Sequence, residues 1–369
     1  MNPNSKISDR PAPSLSAMEG KGFYNKNASM PAAGGLLALP LLEQAARRIH
    51  LDTGARPIVI ADYGASEGKN SLAPMRSAIA VLRARAGLQR PIFVYHTDLP
   101  ANDFNSLFEV VESDPDSYIR GERNVFPSAI GRSFYQSVLP PNHVDLAWSS
   151  YAAVWLSQVP CQIPDHFFIP CSTGAVRAEF ERQAALDWEA FLSLRATDLR
   201  PGGRLVIALP SLAADGSTGV AAMDHANAML SELVTAGLIT AEERGRMTLG
   251  SCPRRQRDLL APFADHRPFK GLAVEHCTTS VVADKAWDQY QVDKDAEALA
   301  RKRALFFRAV FVPSLTQALR PGRGTKERQQ FSAALEAGLR RRLVDYPARI
   351  DHLVGMIVLA KQAAEWLRG

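Results

Sequence analysis

A glycine-rich turn follows the first strongly apolar segment of the chain and carries residues suited to holding a ligand. Residues 58–61 are a short apolar run typical of a buried parallel strand, and Asp62, Gly64 and Gly68 follow it. The two glycines permit tight turning and close approach of a ligand to the backbone. A carboxylate at the carboxyl end of the strand suits a cationic ligand better than a pyrophosphate. The turn therefore favours S-adenosylmethionine over NAD.

A second acidic residue, Asp98, follows the next predicted strand at residues 92–95. At the carboxyl end of a parallel strand, an acidic side chain can accept hydrogen bonds from both hydroxyls of a ribose. Its separation from Gly64 exceeds the usual spacing of about 20 residues, which a long intervening helix and loop explain. Asp98 is therefore predicted to bind the ribose of the cofactor.

The same turn also matches the G-x-S-x-G pattern of a hydrolase, with Ser66 as the nucleophile. Two features argue against that alternative. No HGGG-type segment precedes the turn, and the serine would follow the first strand of the core, which is early for that fold. A Ser66 hydrolase nevertheless remains an open alternative at this point.

These candidate residues need a sheet to position them, and the alternation of elements predicts one. The pattern predicts strands at 58–61, 92–95, 145–150, 204–209, 272–276 and 355–360, and helices at 71–86 and 176–197. Strands alternating with helices favour a parallel sheet. We predict an α/β fold with a Rossmann-like, doubly wound, mostly parallel sheet and a helical cap.

The predicted domain organisation follows from where this alternation changes. Residues 1–17 are polar, and we predict that they form a disordered leader. Residues 18–210 are predicted to form the Rossmann-like core with the cofactor site. Residues 211–345 are predicted to form mainly helical lid insertions with a late core strand at 272–276. Residues 346–369 are predicted to return to the core as a strand and a helix.

Composition excludes several other classes of protein. The chain has 369 residues, 46% hydrophobic and 22% charged, which is ordinary for a globular enzyme. The net charge of +5 is small and spread out, so no nucleic-acid partner is expected. No stretch approaches the roughly 18 apolar residues of a membrane span, so no membrane partner is expected. The four cysteines lack zinc-site spacing, so we expect no metal site. A disulfide scaffold is not expected in a chain of this length, which favours a reducing cytoplasm.

Several blocks of the sequence, in order, resemble the SABATH family of carboxyl and N-methyltransferases, which includes salicylate and jasmonate carboxyl methyltransferases and caffeine synthases. Residues 98–108 are nearly identical to the family pattern DLPxNDFNxLF, and residues 149–160 match SSYSLxWLSQVP closely. Residues 61–71 look like ADLGCSSGPNT, and 131–135 resemble PGSFY. The resemblance runs from residue 18 to about 210 and implies a small-molecule methyltransferase that forms a homodimer. We expect a bacterial member of the family.

The resemblance also implies roles for individual residues. The residues expected to hold S-adenosylmethionine are Tyr24, Asn27, Asp62, Gly64, Asn70, Asp98, Leu99, Ser133, Phe134 and Ser149. Tyr151, Trp155 and the position of Pro31 are expected to border the methyl acceptor. In carboxyl methyltransferases the tryptophan indole N–H meets a carboxylate oxygen. A carboxylate is already ionised at neutral pH, so catalysis by positioning is expected, with no catalytic side chain.

Departures from the family pattern leave the acceptor open. The usual carboxylate-contacting glutamine is Pro31, which has no side-chain donor, and the usual serine is Ala28, with Ser29 as a replacement after a one-residue shift. We expect O-methylation of a carboxylic acid by in-line displacement, with a phenol, enol or ring nitrogen as the alternative acceptor. A phenol would need a base, for which His143, His225 and His276 are candidates.

Overall fold

Seven strands form one sheet in a computed structural model that describes residues 17–52, 54, 56–213 and 221–362. The strands are β1 (Ile58–Tyr63), β2 (Ile92–Asp98), β3 (Val125–Gly131), β4 (Val144–Ser150), β5 (Leu199–Ser211), β6 (Leu272–Val282) and β7 (His352–Lys361). Their order is β3-β2-β1-β4-β5-β7-β6. Strand β7 runs antiparallel to the other six strands, which are parallel to one another. The predicted mostly parallel α/β fold is confirmed.

Twelve α-helices surround this sheet in the described residues. They are α1 (Phe23–Asn27), α2 (Ser29–Leu36), α3 (Leu39–Arg48), α4 (Lys69–Ala86), α5 (Phe104–Ser113), α6 (Gly174–Asp198), α7 (Ala221–Thr235), α8 (Ala241–Arg246), α9 (Gln256–Leu260), α10 (Lys285–Asp293), α11 (Ala296–Gln317) and α12 (Thr325–Asp345). Short 3₁₀ segments lie at Ile169–Cys171 and Ala261–His266. None of the described helices combines the length and the apolar character needed to cross a membrane.

Both faces of the sheet are covered by helices, and successive side chains of its central strands point alternately into one core or the other. On β1, Ile58 and Ile60 join a core that also includes side chains of α3, α4 and α5. Val59 and Ala61 join the opposite core, which includes side chains of α6. The carboxyl ends of β1 and β2 are therefore held between two packed layers.

A separate apolar cluster, which we call the cap core, joins α7, α11 and α12. Ala226 and Leu230 of α7, Phe307 of α11, and Phe331 and Leu339 of α12 are among its buried members. Burial of these faces against one another, rather than against the sheet, stabilises the cap as its own layer.

Two kinds of element escaped the sequence reasoning. Strand β3 is an edge strand whose side chains are only partly buried, and it contains Pro127, so it lacks the apolar run that marks the central strands. Helices α1–α3 and α5 also went unpredicted. The predicted C-terminal helix falls in residues 363–369, and almost all of the predicted leader in residues 1–16, which lie outside the described residues. The predicted domain boundaries stay predictions.

Candidate active site

The turn after β1 depends on its first glycine. Gly64 has φ +90°, and a Cβ at this position would lie 2.1 Å from the Cβ of Ala152. The N–H groups of Gly64 and Ala65 donate to the carbonyl of Thr97 at 2.8 and 3.1 Å. Only glycine satisfies both the positive φ and the close approach, so the turn lies against the end of β2.

Asp98 ends β2 and faces this turn. Its two carboxylate oxygens accept from the N–H of Ser66 and of Leu99, each at 2.7 Å. The pKa of the Asp98 carboxyl is raised to about 6, chiefly by burial and to a lesser extent by the nearby Asp62. The two backbone donors lower this pKa but do not offset the effect of burial. Asp98 therefore presents a carboxylate at the edge of the sheet where sequence reasoning expected it.

Asp62 lies deeper in the turn, where it is 1% exposed. Its Oδ2 accepts from the hydroxyl of Ser71 at 2.5 Å and lies 2.9 Å from Nδ1 of His96. Nε2 of His96 lies 2.8 Å from the hydroxyl of Tyr118. The contacts from Ser71 and His96 both go to the same carboxylate oxygen of Asp62, so Oδ2 is held by the protein interior.

Residues 18–27, here called the N-terminal strap, cross over the turn. The Glu67 carboxylate accepts from the N–H of Gly22 at 2.6 Å and of Asn25 at 2.9 Å, and the side-chain amide of Asn25 donates back to the Glu67 carbonyl at 2.9 Å. At its other end, Glu19 pairs with Arg308 of α11 at 2.6 Å. The strap is therefore fastened to both the sheet layer and the cap.

Tyr24 of the strap connects the turn to the rest of the site. Its hydroxyl faces Asn70, Asp98 and Glu67, and burial, with the two carboxylates, raises its pKa, so it stays protonated at neutral pH. Asn27 is different: its side-chain amide donates to the Phe23 carbonyl within α1, at 2.8 Å. The strap asparagine that contacts the turn is Asn25, whose Oδ1 accepts from the N–H of Lys69.

The remaining predicted cofactor residues divide into two groups. Ser133 and Phe134 follow β3, beside Asp98, and the Phe134 ring approaches within 3.9 Å of where a Cβ on Gly64 would lie. Ser149, in contrast, is 0% exposed, and its hydroxyl donates to the Tyr63 carbonyl at 2.9 Å. Its hydroxyl links two strands, so we leave Ser149 out of the proposed cofactor site.

A largely apolar cavity of about 170 Å³ opens between the strap, the end of β4 and the cap. Its lining includes the aromatic and aliphatic side chains Met18, Tyr24, Met30, Pro31, Tyr151, Val154, Trp155, Phe168, Met223, Phe306, Phe307, Val310 and Phe311. The three residues predicted to border the acceptor, Pro31, Tyr151 and Trp155, all line it. Tyr24 also lines it, and its hydroxyl faces Asp98. Ser29 lines a second cavity of about 270 Å³, together with Lys69 and Asn70, so it does not replace the missing side chains beside Trp155.

The histidine of the apolar cavity is His352, which sequence reasoning missed. Its Nε2 lies 2.7 Å from the hydroxyl of Tyr151, and burial lowers its pKa to about 4, so the ring is neutral. None of the three histidines named as candidates for a base lines this cavity. The His143 ring lies tilted beside Tyr95, His225 stacks on Tyr346, and His276 is exposed on β6. Nothing in the local sequence around residue 352 distinguishes it, because the tertiary fold brings β7 there.

Two alternative chemistries find no support in the described residues. Ser66 Oγ is buried and makes no hydrogen bond, so no base is placed to activate it as a hydrolase nucleophile. His166, Cys171 and Asp224 lie close together, but Nδ1 of His166 accepts from the N–H groups of Phe167 and Phe168 at 2.9 Å. Its neutral ring therefore carries the proton on Nε2, which cannot then bind a metal.

Comparison with known proteins identifies families and structures that are similar to this chain. A family model described as SAM-dependent carboxyl methyltransferase matches residues 13–348. Methyltransferase LUC1 of Fusarium sp is 29% identical over 77% of this chain and 78% of its own length. Indole-3-acetate O-methyltransferase 1 of Arabidopsis thaliana is 28% identical over 63% and 67%. A solved loganic acid methyltransferase with SAH has a TM-score of 0.77 at 22% identity, covering 96% of this chain and 100% of that one.

Proposed function

Because the chain belongs to the S-adenosylmethionine-dependent carboxyl methyltransferase family, we propose that it converts a small, largely apolar carboxylic acid to its methyl ester. It is an enzyme that uses S-adenosylmethionine to methylate a small molecule. This membership confirms the resemblance carried by the DLPxNDFN and SSYxxxWLSQVP blocks. The observation that supports the acceptor class is the apolar cavity, with the Trp155 side chain in its wall.

The residues at the carboxyl edge of the sheet fit this cofactor. Gly64 leaves room for close backbone approach, and Asp98 offers a carboxylate to ribose hydroxyls. Asp62 Oδ1 and Asn70 would hold the methionine end, and Leu99, Ser133 and Phe134 would border the adenine. The carboxylates of Asp62, Asp98 and Glu67 complement a cationic ligand. When bound, S-adenosylmethionine supplies an electrophilic methyl group for in-line displacement.

The chain's own contribution to the proposed reaction is positioning and exclusion of water. A carboxylate acceptor is ionised at neutral pH and needs no base. The indole N–H of Trp155, a residue of the cavity wall, would donate to one carboxylate oxygen. The strap and α11 would close the site from above, and the apolar lining would keep water from the reacting groups.

A phenol, enol or ring nitrogen is the second candidate acceptor. The observation that favours it is Pro31, which lines the apolar cavity where a donor to a carboxylate was expected. His352 lines the same cavity and would be the nearest base, although the burial that lowers its pKa also weakens its basicity.

The decisive experiment measures cofactor binding and then methyl transfer. The relatives include enzymes named for indole-3-acetate, for benzoic and salicylic acid, and for loganic acid. We expect S-adenosylmethionine to raise the melting temperature, and labelled methyl transfer to give a base-labile ester with indole-3-acetate or benzoate. A base-stable product formed only from phenols or heterocycles would establish the second candidate. No thermal shift with the cofactor would contradict the proposed cofactor site.

Three further features remain proposals. The resemblance supports a homodimer, which sedimentation can test. Four free cysteines support a cytoplasmic enzyme. A bacterial source stays a prediction, and the relatives named above come from a fungus and a plant.

A further inference from the structure

In the proposed acceptor site, Trp155 supplies one hydrogen-bond donor to the carboxylate of the substrate, whereas two are needed. A carboxylate has two oxygens, and a charged oxygen left without a donor in an apolar cavity is unfavourable. Trp155 offers one indole N–H, and Pro31 offers no side-chain donor. The second donor must therefore come from another part of the cavity wall.

Ser251 lies directly opposite Trp155 on a neighbouring segment. The two residues form an isolated antiparallel bridge, with hydrogen bonds from Leu156 N to Gly250 O at 2.7 Å and from Cys252 N to Val154 O at 3.0 Å. Bonds made by the flanking residues define the non-hydrogen-bonded type of antiparallel pair. In that type the two side chains project from the same face and approach most closely. The hydroxyl of Ser251 and the indole of Trp155 are therefore neighbours.

The hydroxyl of Ser251 has no partner of its own. Ser251 lines the apolar cavity and is 4% exposed, and its Oγ makes no hydrogen bond to any described residue. Buried hydroxyls are normally bonded, so an unbonded one beside a cavity calls for a partner supplied from that cavity. By contrast Ser211, a second serine of the lining, donates to the Arg254 carbonyl at 2.7 Å.

Charge on the same segment favours an anionic partner. Arg254, three residues after Ser251, is 2% exposed and donates to the carbonyls of Ala153 and Ala184. Within the described part of the chain its guanidinium forms no ion pair with a carboxylate; it donates to these two carbonyls and lies 5.5 Å from the centre of the Trp188 ring. A buried cation whose charge no carboxylate neutralises lowers the energy of an anion held nearby.

We infer that Ser251 is the second anchor of the acceptor carboxylate, in place of the donor lost at Pro31. The indole N–H of Trp155 and the hydroxyl of Ser251 together hold the two oxygens of a monocarboxylate, with its apolar body in the cavity. This inference rests on the proposed carboxyl methylation and assigns the binding residues for it.

The test compares Ser251→Ala, Ser251→Thr and a matched surface control, Ser193→Ala on α6, whose exposed hydroxyl donates to the Glu189 carbonyl. Indole-3-acetate and 3-methylindole serve as probes because they differ by the carboxylate. Calorimetry measures the dissociation constant of each probe, and methyl transfer gives KM and kcat for the acid. Melting temperatures of all variants show that they are folded.

Loss of a hydrogen bond to a charged group should weaken binding of indole-3-acetate to Ser251→Ala by about tenfold or more. Binding of 3-methylindole should stay within about twofold. KM should rise with kcat nearly unchanged, because a hydrogen bond that holds the bound acid and the transition state about equally contributes to binding and not to the chemical step. Ser251→Thr, which keeps the hydroxyl, should restore binding, and Ser193→Ala should match the wild type.

Equal losses for both probes, or unchanged binding of the acid, would show that Ser251 only packs against Trp155 and would overturn the assignment while leaving carboxyl methylation intact. Failure of the wild type to bind or methylate indole-3-acetate, benzoate or salicylate would overturn the proposed function and the anchor with it. Methylation by the wild type with an unimpaired Ser251→Ala enzyme separates the two failures.

Discussion

Asp98 illustrates how a single carboxylate can be positioned and yet remain responsive to pH. Two backbone N–H groups fix both oxygens, while burial opposes the charge and holds the pKa near 6. The ionised form is the one that can accept from two ribose hydroxyls. Above pH 6 the carboxylate is present, and it is lost as the pH falls through that value.

Cofactor affinity should therefore fall on acidification. We expect S-adenosylhomocysteine to bind the wild-type protein about tenfold more weakly at pH 5 than at pH 8. Asp98→Asn should bind it at least about tenfold more weakly at pH 8 and should lose the pH dependence. Calorimetry across this range measures both effects, with the exposed Asp116→Asn as the control. A flat profile in the wild type would contradict the assigned role of Asp98.

The backbone conformation of Gly64 leads to a prediction about the stability of the turn. Gly64→Ala adds a positive-φ penalty of about 1–2 kcal/mol and an overlap with Ala152 that costs roughly 1–3 kcal/mol more. The matched control is Gly121→Ala, which has φ +75° but no atom within 4 Å of the added Cβ, so it carries the φ penalty alone. Urea unfolding measures the difference. Equal destabilisation of the two variants would show that the approach to Ala152 is not restrictive.

At the scale of elements, the N-terminal strap joins parts of the molecule that are far apart in sequence. Glu67 holds its helical part to the glycine turn, and Glu19 holds its beginning to Arg308, which also pairs with Glu336 of α12 at 2.8 Å. Tyr24 lies between these attachments. The position of Tyr24 over the site therefore depends on both.

Releasing the strap from the cap should affect ligand binding without unfolding the sheet. Arg308→Met leaves the half-buried Glu19 and Glu336 unpaired, so we expect faster proteolysis within residues 18–27 and several-fold weaker binding of S-adenosylhomocysteine. Arg340→Met is the matched control, because Arg340 pairs with Glu297 at an exposed site where such pairs contribute little. Identical proteolysis of both variants would mean that the ion pair does not hold the strap.

At the scale of the whole molecule, the sheet carries most of the residues proposed to bind the cofactor, and the cap supplies much of the wall of the apolar cavity proposed for the acceptor. Phe306, Phe307, Val310 and Phe311 of α11 line the apolar cavity, and Phe307 also belongs to the cap core. The glycine turn and Asp98 belong to the sheet layer. Damage to the cap core should therefore affect the two ligands unequally.

Leu339→Ala tests this division. Leu339 of α12 is 0% exposed in the cap core, so we expect a loss of about 2–5 kcal/mol in the free energy of unfolding. Below its melting temperature the variant should bind S-adenosylhomocysteine normally but should show a raised KM for the acid. Leu186→Ala, a change at an exposed leucine of α6, is the control for stability and KM. A parallel loss of both ligands would contradict the division of roles.

Local signals in the sequence were sufficient for the central strands and for the turn. Apolar runs marked β1, β2, β4, β5 and β7 because these strands are buried on both faces. Asp98 was identifiable because it directly follows the apolar run of β2, and the end of that run marks the carboxyl edge of the sheet. Edge strand β3 and the short helices α1 and α2 carried no such signal, since their stability comes from tertiary contacts.

The sequence by itself determined the fold class, the cofactor and the edge of the sheet where the ligand residues gather, because these follow from local periodicity and from blocks of specific residues. Only the tertiary structure decided which groups meet in the apolar cavity. Tyr151 and His352 are 201 residues apart, and Trp155 and Ser251 face each other across an isolated bridge. Contacts between such distant residues arise when the two layers and the cap pack together, and packing leaves no mark in the local sequence. The positions of the residues proposed for the cofactor could thus be predicted from the sequence, whereas the groups around the proposed acceptor could be identified only in the folded chain.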